Sequence, residues 1–279
     1  MNDQNKKING LWIGKTLSCI ELLCLKSFIA HGHEFHLWVY ENIETPLPEG
    51  VIVENARNII PEENVFCYKN SNQYGHGKGS YAGFSDIFRY KLLYEHGGWW
   101  VDMDVVCLKH FDFETPYVFR THDAFKVVGN IMKCEEKSEV MRLCYEKAMK
   151  KVDANNRDWN LPIRILNETI DELQFKRYIV NISNADSWLF IIKSLLFNFT
   201  IPEKWYALHL INEEWRRNHI NKKAISGNSC IGKLLEGYGL LEPSTFGQRA
   251  ANTIRIIVFR FAIKRVIGFI RKKMGKMEG

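Results

Sequence analysis

Short apolar runs alternate with an amphipathic segment at the start of the chain. The β-branched and aromatic runs Ile8 to Ile13 and Phe35 to Tyr40 predict strands, and the intervening Leu17 to Ala30 predicts a helix. This βαβ order predicts an α/β fold with a mostly parallel central sheet and helices on both faces. Ligands bind at the carboxyl ends of such strands, so Trp12 and Gly14 are expected at a ligand-binding edge.

The second half of the chain has a less regular pattern. Tyr117 to Arg120 and Lys126 to Met132 predict strands, and Ser138 to Val152 predicts an amphipathic helix. A mixed portion follows, at Asn160 to Leu173, Ile179 to Ile182 and Ala185 to Leu196. Trp205 to Leu210 predicts a strand that brings His209 to its end, with Trp215 following closely.

A helix is predicted before the centre of the chain. Ser85 is a natural N-cap and Gly97 a natural helix stop. Asp86, Arg89 and Tyr90 lie three and four residues apart, so they share one face of this helix. Two interpretations stay open: the acid and the base pair with each other, or they grip the hydroxyls of a sugar.

A glycine-rich stretch, Tyr74 to Gly83, precedes this helix. It matches no phosphate-loop pattern. It is either a flexible loop near a site or an ordinary surface loop.

Two carboxylates follow the helix. Asp102 and Asp104, separated by one residue, come directly after the apolar run Gly98 to Val101, which predicts a buried strand. Two like charges a few ångströms apart are costly inside a domain unless a cation neutralises them. Because carboxylate oxygens suit hard divalent cations, we expect a metal here. The alternative is that the pair only turns the chain into solvent.

Composition and cysteine content narrow the class of protein. Hydrophobic residues are 46% and charged residues 25% of the chain, which is typical of a folded domain. The seven cysteines contain no Cys-x-x-Cys pair, so neither a zinc cluster nor a disulfide framework is indicated, and we expect a reducing cytoplasm.

The net charge of +6 resides in the last residues of the chain. Residues 249–279 contain nine basic residues against Glu278 alone, so the body, residues 1–248, is slightly acidic. This distribution argues against a nucleic-acid partner.

Apolar residues recur at three- and four-residue steps near the end of the sequence, at Ile256, Phe259, Ile263, Val266 and Ile270, and basic residues lie opposite them. We expect an amphipathic helical tail that binds an anionic membrane surface through residues 250–279; packing on the domain or on a second subunit is the alternative.

The string Ser85-Asp86-x-x-Arg89-Tyr90, followed by Gly97-Gly98-Trp99-Trp100-x-Asp102-x-Asp104, resembles the sugar-binding region of glycosyltransferase family 32. That family includes mannosyltransferases and many bacterial enzymes of capsule and lipopolysaccharide synthesis. The resemblance implies a GT-A fold with a Rossmann-like sheet over residues 1–248. It also implies transfer of a sugar, with retention of configuration, from a UDP- or GDP-sugar to a saccharide acceptor of a surface polysaccharide.

The resemblance further implies residue roles. Asp104 would bind Mn²⁺ or Mg²⁺ directly, and Asp102 would hold the donor and share the metal through water. Asp86, Arg89 and Tyr90 would contact the donor, Arg89 acting in catalysis with the two acids. The remaining implied residues are Trp12 and Gly14 at the base pocket, His209 completing the metal site and Trp215 reaching the diphosphate. Trp100 stands where many relatives have Tyr.

Two other functions are compatible with these residues. Asp-x-Asp also begins the site of phosphatases that form an aspartyl-phosphate, although these usually have Thr where this chain has Val106. The other is a sugar-binding or membrane scaffold without turnover. The preferred hypothesis is a cytoplasmic enzyme at the inner face of the cell membrane, acting on a growing surface glycan that is carried on a lipid.

Overall fold

The computed structural model describes residues 3–258, which divide into two structural units. The first comprises the residues up to Asp186 together with Pro202–Leu210, and the second comprises Ser187–Ile201 and the residues from Ile211 onward. The proposed catalytic body, residues 1–248, and tail, residues 249–279, stay a prediction.

The first unit is built on a sheet whose strand order is β3-β2-β1-β4-β7-β6-β8, with β5 and β9 forming a separate pair. The strands are β1 Lys7–Trp12, β2 Glu34–Val39, β3 Val51–Asn55, β4 Gly98–Val101, β5 Val105–Cys107, β6 Val118–His122, β7 Lys126–Cys134, β8 Ile179–Val180 and β9 Ala207–His209.

Helices occur in both units. They are α1 Asp3–Lys6, α2 Cys19–Ala30, α3 Ala82–His96, α4 Glu139–Lys151, α5 Leu161–Glu172, α6 Trp188–Leu196, α7 Asn212–Arg217 and α8 Cys230–Gly237, with short 3₁₀ turns at Ala56–Asn58, Glu62–Asn64 and Phe175–Tyr178. Residues 246–258 are also helical.

The sheet is mostly parallel, as predicted. β1 runs parallel to β2 and β4, β2 to β3, and β6 to β8. β7 is the exception, because it runs antiparallel to β4 and to β6. The predicted α/β class is confirmed, and the structure is consistent with a GT-A fold.

Both faces of the sheet bury apolar side chains. In β4, Trp99 and Val101 join one core cluster with residues of α2, whereas Trp100 joins a second cluster with residues of α3, α4 and α5. Burial of each large apolar side chain contributes about 1.5–3 kcal/mol. The prediction of helices on both faces is therefore confirmed for this unit.

The start of α3 differs from the prediction. The helix begins at Ala82, so Ser85 is not its N-cap. The hydroxyl of Ser80 accepts from the backbone N–H of Ala82 at 3.2 Å and thereby satisfies a donor of the first turn. The predicted stop is confirmed: Gly97 follows the last helical residue with φ of 59°, and a Cβ there would lie 2.5 Å from the backbone nitrogen of Glu136.

The second unit is helical in its described part. The side chain of Asn252 donates to the carbonyls of Asn221 and Ala224 and accepts from the N–H of Asn221. Ile256 is only 3% exposed, whereas Ile254 and Val258 are each 60% exposed. The rest of the predicted apolar stripe, from Phe259 to Ile270, lies outside the described residues. Within residues 3–258, no helix has the length and apolarity needed to cross a membrane.

Candidate active site

The two carboxylates lie on a tight turn at the end of β4. The N–H of Val105 donates to the carbonyl of Asp102 at 3.1 Å, which closes the turn. Met103 points into the core between the two acids: it is 6% exposed, and its sulfur lies 2.9 Å from where a Cβ on Gly10 would stand. The side chains of Asp102 and Asp104 stay partly exposed, at 31% and 14%. The missing side chain at Gly10 thus leaves room for the residue that anchors the turn.

Asp102 is held by two donors from the first unit. Its Oδ1 lies 3.1 Å from Nη2 of Arg89 and accepts from Nε1 of Trp100 at 2.8 Å. The guanidinium of Arg89 also lies 5.2 Å from the centre of the Trp100 ring. Trp100 therefore supplies a hydrogen bond to the acid pair, in place of the hydroxyl that a Tyr would offer.

Asp86 and Arg89 interact with each other and with the acid pair. Nη2 of Arg89 lies 3.3 Å from Oδ1 of Asp86, and both side chains are largely buried. Burial raises the pKa of Asp86 to about 6, with Arg89 opposing and Asp102 adding to the increase. For Asp102 too, burial raises the pKa against the effect of Arg89. One guanidinium thus links a carboxylate of α3 to the first carboxylate of the turn.

The pairing of β5 with β9 brings His209 to Asp104. Val105 is paired with His209 in this short antiparallel ladder, and the N–H of Leu210 donates to the carbonyl of Asp104 at 3.0 Å. Nε2 of His209 consequently lies 3.4 Å from Oδ2 of Asp104. The structure thus places the predicted late histidine beside the predicted metal ligand.

Asp186, which the sequence analysis did not identify, fixes this histidine. Its Oδ1 lies 2.7 Å from Nδ1 of His209. Arg120 binds the same carboxylate through both terminal nitrogens, at 2.8 and 2.6 Å, and is itself 1% exposed. Burial alone would raise the pKa of Asp186, but His209 and Arg120 hold it well below its usual range. Burial alone would lower the pKa of His209, but Asp186 and Asp104 raise it to about 10.

Asp104 and His209 fit a divalent cation as a pair of ligands. Their facing atoms are a carboxylate oxygen and an imidazole nitrogen, and the other ring nitrogen is held by a carboxylate, as in many protein metal sites. Within residues 3–258, no group of three or more His, Cys, Asp and Glu side chains forms a complete metal site. Mg²⁺ commonly keeps waters and substrate phosphates among its ligands, so two protein ligands suffice for such a site.

Trp12 ends β1 and Gly14 follows it, at the same edge of the sheet as the acid turn because β1 and β4 are parallel. Nε1 of Trp12 is buried and has no hydrogen-bond partner within the described chain. Gly14 has φ of 135°, and a Cβ there would lie 3.5 Å from that nitrogen. The edge therefore offers a donor that a bound ligand could satisfy.

A family model described as a glycosyltransferase sugar-binding region containing a DXD motif matches residues 49–126. The match includes Asp86, Arg89 and both acids of the turn. The protein is a glycosyltransferase. The resemblance to family 32 that rested on these residues is confirmed over this region, and such DXD regions are typically metal-dependent.

Two solved structures are similar to the chain, with low TM-scores. The chain is similar to one titled "PaToxG Glycosyltransferase", at 12% identity and a TM-score of 0.45 over 90% of this chain and 85% of that one. It is also similar to the structure of a transferase mutant with two cysteines replaced by serine, at 9% identity and 0.43 over 63% and 87%. Because both scores are below 0.5, we draw nothing from either likeness. No curated protein matches the chain.

The donor contacts predicted for Tyr90 and Trp215 stay predictions. Tyr90 is fully buried, and its hydroxyl donates to the carbonyl of Pro162 at 3.1 Å, which favours a supporting role in the core. Trp215 is also fully buried, on α7 of the second unit. Its predicted contact with a diphosphate stays a prediction.

Proposed function

We propose that this glycosyltransferase uses a divalent cation, Mn²⁺ or Mg²⁺, to move a sugar from a UDP- or GDP-sugar to a saccharide acceptor of a surface polysaccharide, with retention of configuration. The observation that carries the proposal is the pair Asp104 and His209, held by Asp186 beside the Asp102–Arg89–Asp86 chain of charges. Such a pair of oxygen and nitrogen ligands within a DXD region suits a cation that also binds a diphosphate.

The reaction breaks the bond between the anomeric carbon and the diphosphate oxygen, and forms a bond from that carbon to an acceptor hydroxyl oxygen. The nucleoside diphosphate leaves with the bonding electrons, and its departing oxygen takes up the proton that the acceptor hydroxyl loses. Bound metal would supply Lewis-acid stabilisation of the charge on the departing diphosphate.

The protein's own groups would orient the donor. The carboxylates of Asp86 and Asp102 can accept hydrogen bonds from sugar hydroxyls, since each keeps some exposed surface. Arg89, held between them, adds positive charge and fixes both carboxylates. Trp12 would offer its unpaired N–H to the nucleotide, in line with its place at the sheet edge.

The proposal includes attachment to the inner face of the cell membrane, where the acceptor is lipid-linked. It is supported by the nine basic residues of 249–279 and by the exposed apolar side chains of Ile254 and Val258. Each basic residue near anionic lipid contributes about 1 kcal/mol to binding.

The test is hydrolysis of a panel of UDP- and GDP-sugars with and without Mn²⁺, comparing the wild type with Asp104→Ala. We expect metal-dependent release of nucleoside diphosphate by the wild type, and a loss of about a hundredfold or more in the variant, because a metal ligand is removed. Asp112→Ala removes an exposed carboxylate outside the site and should retain full activity.

Three results would contradict the proposal. Full activity of Asp104→Ala would remove the metal assignment. Release of phosphate from simple phosphate esters would indicate a phosphatase instead. Absence of activity on every donor would indicate a scaffold.

A further inference from the structure

Two loops of the first unit join to form one surface, residues 68–81 and 153–160, which we call the two-loop surface. The N–H of Lys69 donates to the carbonyl of Ala154 at 2.8 Å, and the N–H of Gln73 donates to that of Arg157 at 3.1 Å. The N–H of Trp159 donates in return to Oε1 of Gln73 at 2.9 Å. Bonds in both directions make this a built surface rather than two independent loops.

Aromatic rings lie at the centre of the two-loop surface. The ring of Trp159 lies 5.9 Å from that of Tyr68 and 5.5 Å from that of His76. Tyr74 stacks on His76 at 5.9 Å with an interplanar angle of 19°, and 56% of it is exposed. Gly77 has φ of 93°, and a Cβ there would lie 2.8 Å from the Trp159 ring. The glycine-rich loop therefore lets its backbone approach the indole closely.

Amide and carboxylate groups surround these rings. Nδ2 of Asn160 donates to the Tyr74 hydroxyl at 2.8 Å, and Nε2 of Gln73 donates to Oδ1 of Asp158 at 3.0 Å. A sugar has apolar C–H faces that stack on aromatic rings and hydroxyls at its rim that bond to amides and carboxylates. An exposed ring edged by such groups suits that chemistry.

The two-loop surface adjoins the helix that carries the donor-site residues. Tyr68 packs on Gly83 of α3, where a Cβ would lie 2.1 Å from the tyrosine hydroxyl. Asp86 follows Gly83 by three residues, a rise of about 4.5 Å along the helix. The aromatic rings thus continue from the side of α3 that leads to Asp86 and Arg89.

We propose that the two-loop surface is the acceptor site and that it binds a hexose unit stacked on Tyr74. This inference rests on the proposed function, because an acceptor must lie beside the donor. The exposed ring of Tyr74, the amides at its rim and the continuity with α3 support it.

The test is saturation-transfer difference NMR with the methyl glycosides of glucose, galactose, mannose and N-acetylglucosamine. We expect saturation transfer to the ring protons of at least one glycoside in the wild type, and a loss of most of that signal in Tyr74→Ala. Tyr74→Phe should retain it, because the ring remains. Phe197→Ala is the matched control: Phe197 is 57% exposed but lies in the second unit.

Several outcomes would overturn the acceptor site. These are no signal from any glycoside in the wild type, an unchanged signal in Tyr74→Ala, or a change of oligomeric state in Tyr74→Ala without a change in signal. Donor hydrolysis, measured in parallel, should be equal in the wild type and in Tyr74→Ala. Its absence in the wild type would contradict the proposed function and the acceptor role together, whereas retained hydrolysis with unchanged glycoside binding would contradict the acceptor site alone.

Discussion

Asp186 orients the histidine of the charged site. Its carboxylate is shared by Arg120 and His209, so the orientation of the imidazole toward Asp104 depends on it. Arg120 is in turn enclosed by further acceptors, the Ser183 hydroxyl and the Asn184 carbonyl. A histidine whose Nδ1 is fixed in this way presents Nε2 in one direction, and loss of the Nε2 proton to a bound cation would leave the tautomer with its hydrogen on Nδ1.

Replacing this carboxylate tests its positioning role. In Asp186→Asn we expect Mn²⁺ affinity, measured by electron paramagnetic resonance of the free ion, to fall by about 10–100-fold, as for other groups that orient metal ligands. Asp171→Asn, which removes a half-exposed carboxylate paired with surface lysines, should leave it unchanged. Thermal melting reports separately on the packing of Arg120. Unaltered Mn²⁺ affinity in a folded Asp186→Asn would contradict the role.

Gly129 leaves open the space in which the guanidinium of Arg89 lies. A Cβ at this position would lie 2.8 Å from Nη1 of Arg89 and 3.4 Å from its Cδ. Because the end of a long side chain can move, we expect Gly129→Ala to displace the guanidinium from Asp102 with a stability cost of only about 1–3 kcal/mol. Donor hydrolysis should fall at least tenfold. Gly237→Ala is the control, since nothing lies within 4 Å of a Cβ there, and equal hydrolysis by both variants would refute the displacement.

At the scale of elements, local patterns predicted most of the strands and helices of the first unit. β1, β2 and α2 agree with the predicted runs to within two residues, because each has its own apolar period and, for α2, a capping box at Ser18. The antiparallel insertion of β7 and the start of α3 were not predictable in this way. The first depends on long-range pairing, and the second on the Ser80 hydroxyl, which accepts from the N–H of Ala82 ahead of Ser85.

The candidate site likewise contains residues that a local pattern predicted and residues that only long-range contacts bring to the site. Asp86, Arg89, Asp102 and Asp104 lie within one local string, and the structure brings them together. His209 required the family resemblance, since the β5–β9 pairing that brings it to Asp104 joins residues about a hundred positions apart. Asp186 had no local signal, because a single acid in a mixed segment resembles any surface carboxylate until its partners are known.

At the scale of the whole molecule, His33 connects distant parts of the first unit and makes stability depend on pH. Its Nδ1 bonds to the carbonyl of Asn5 at 3.0 Å, and its Nε2 accepts from the N–H of Phe111 at 3.1 Å. A proton on Nε2 would remove that acceptor. Burial, together with the neighbouring His110, accordingly lowers the pKa of His33 from 6.5 to about 4.

The sign of the effect follows from proton binding. Between pH 6.5 and 4 the unfolded chain binds more protons at His33 than the folded protein, so this group lowers the free energy of unfolding as the pH falls. The full difference is about 3 kcal/mol. Urea unfolding at about pH 7.5, above that interval, and at about pH 4.5, near its lower end, should show a smaller loss in His33→Asn than in the wild type. The exposed His219→Asn serves as control, and parallel losses in all three proteins would disprove the effect.

Membrane attachment also belongs to this scale, because it concerns charge that is concentrated in one part of the chain. A deletion that tests it should begin at residue 259, since Asn252 and Ile256 pack within the second unit and their removal would damage the fold. The deleted residues carry seven of the basic side chains, each of which contributes about 1 kcal/mol to binding near anionic lipid.

We expect the full chain to sediment with phosphatidylglycerol vesicles but not with phosphatidylcholine vesicles, and the deletion to sediment with neither. A full-length variant with Arg271, Lys272 and Lys273 changed to Gln separates charge from length, because it should bind phosphatidylglycerol at least tenfold more weakly. Sedimentation of the deletion with phosphatidylglycerol at the level of the full chain would show that this part of the protein does not bind the membrane.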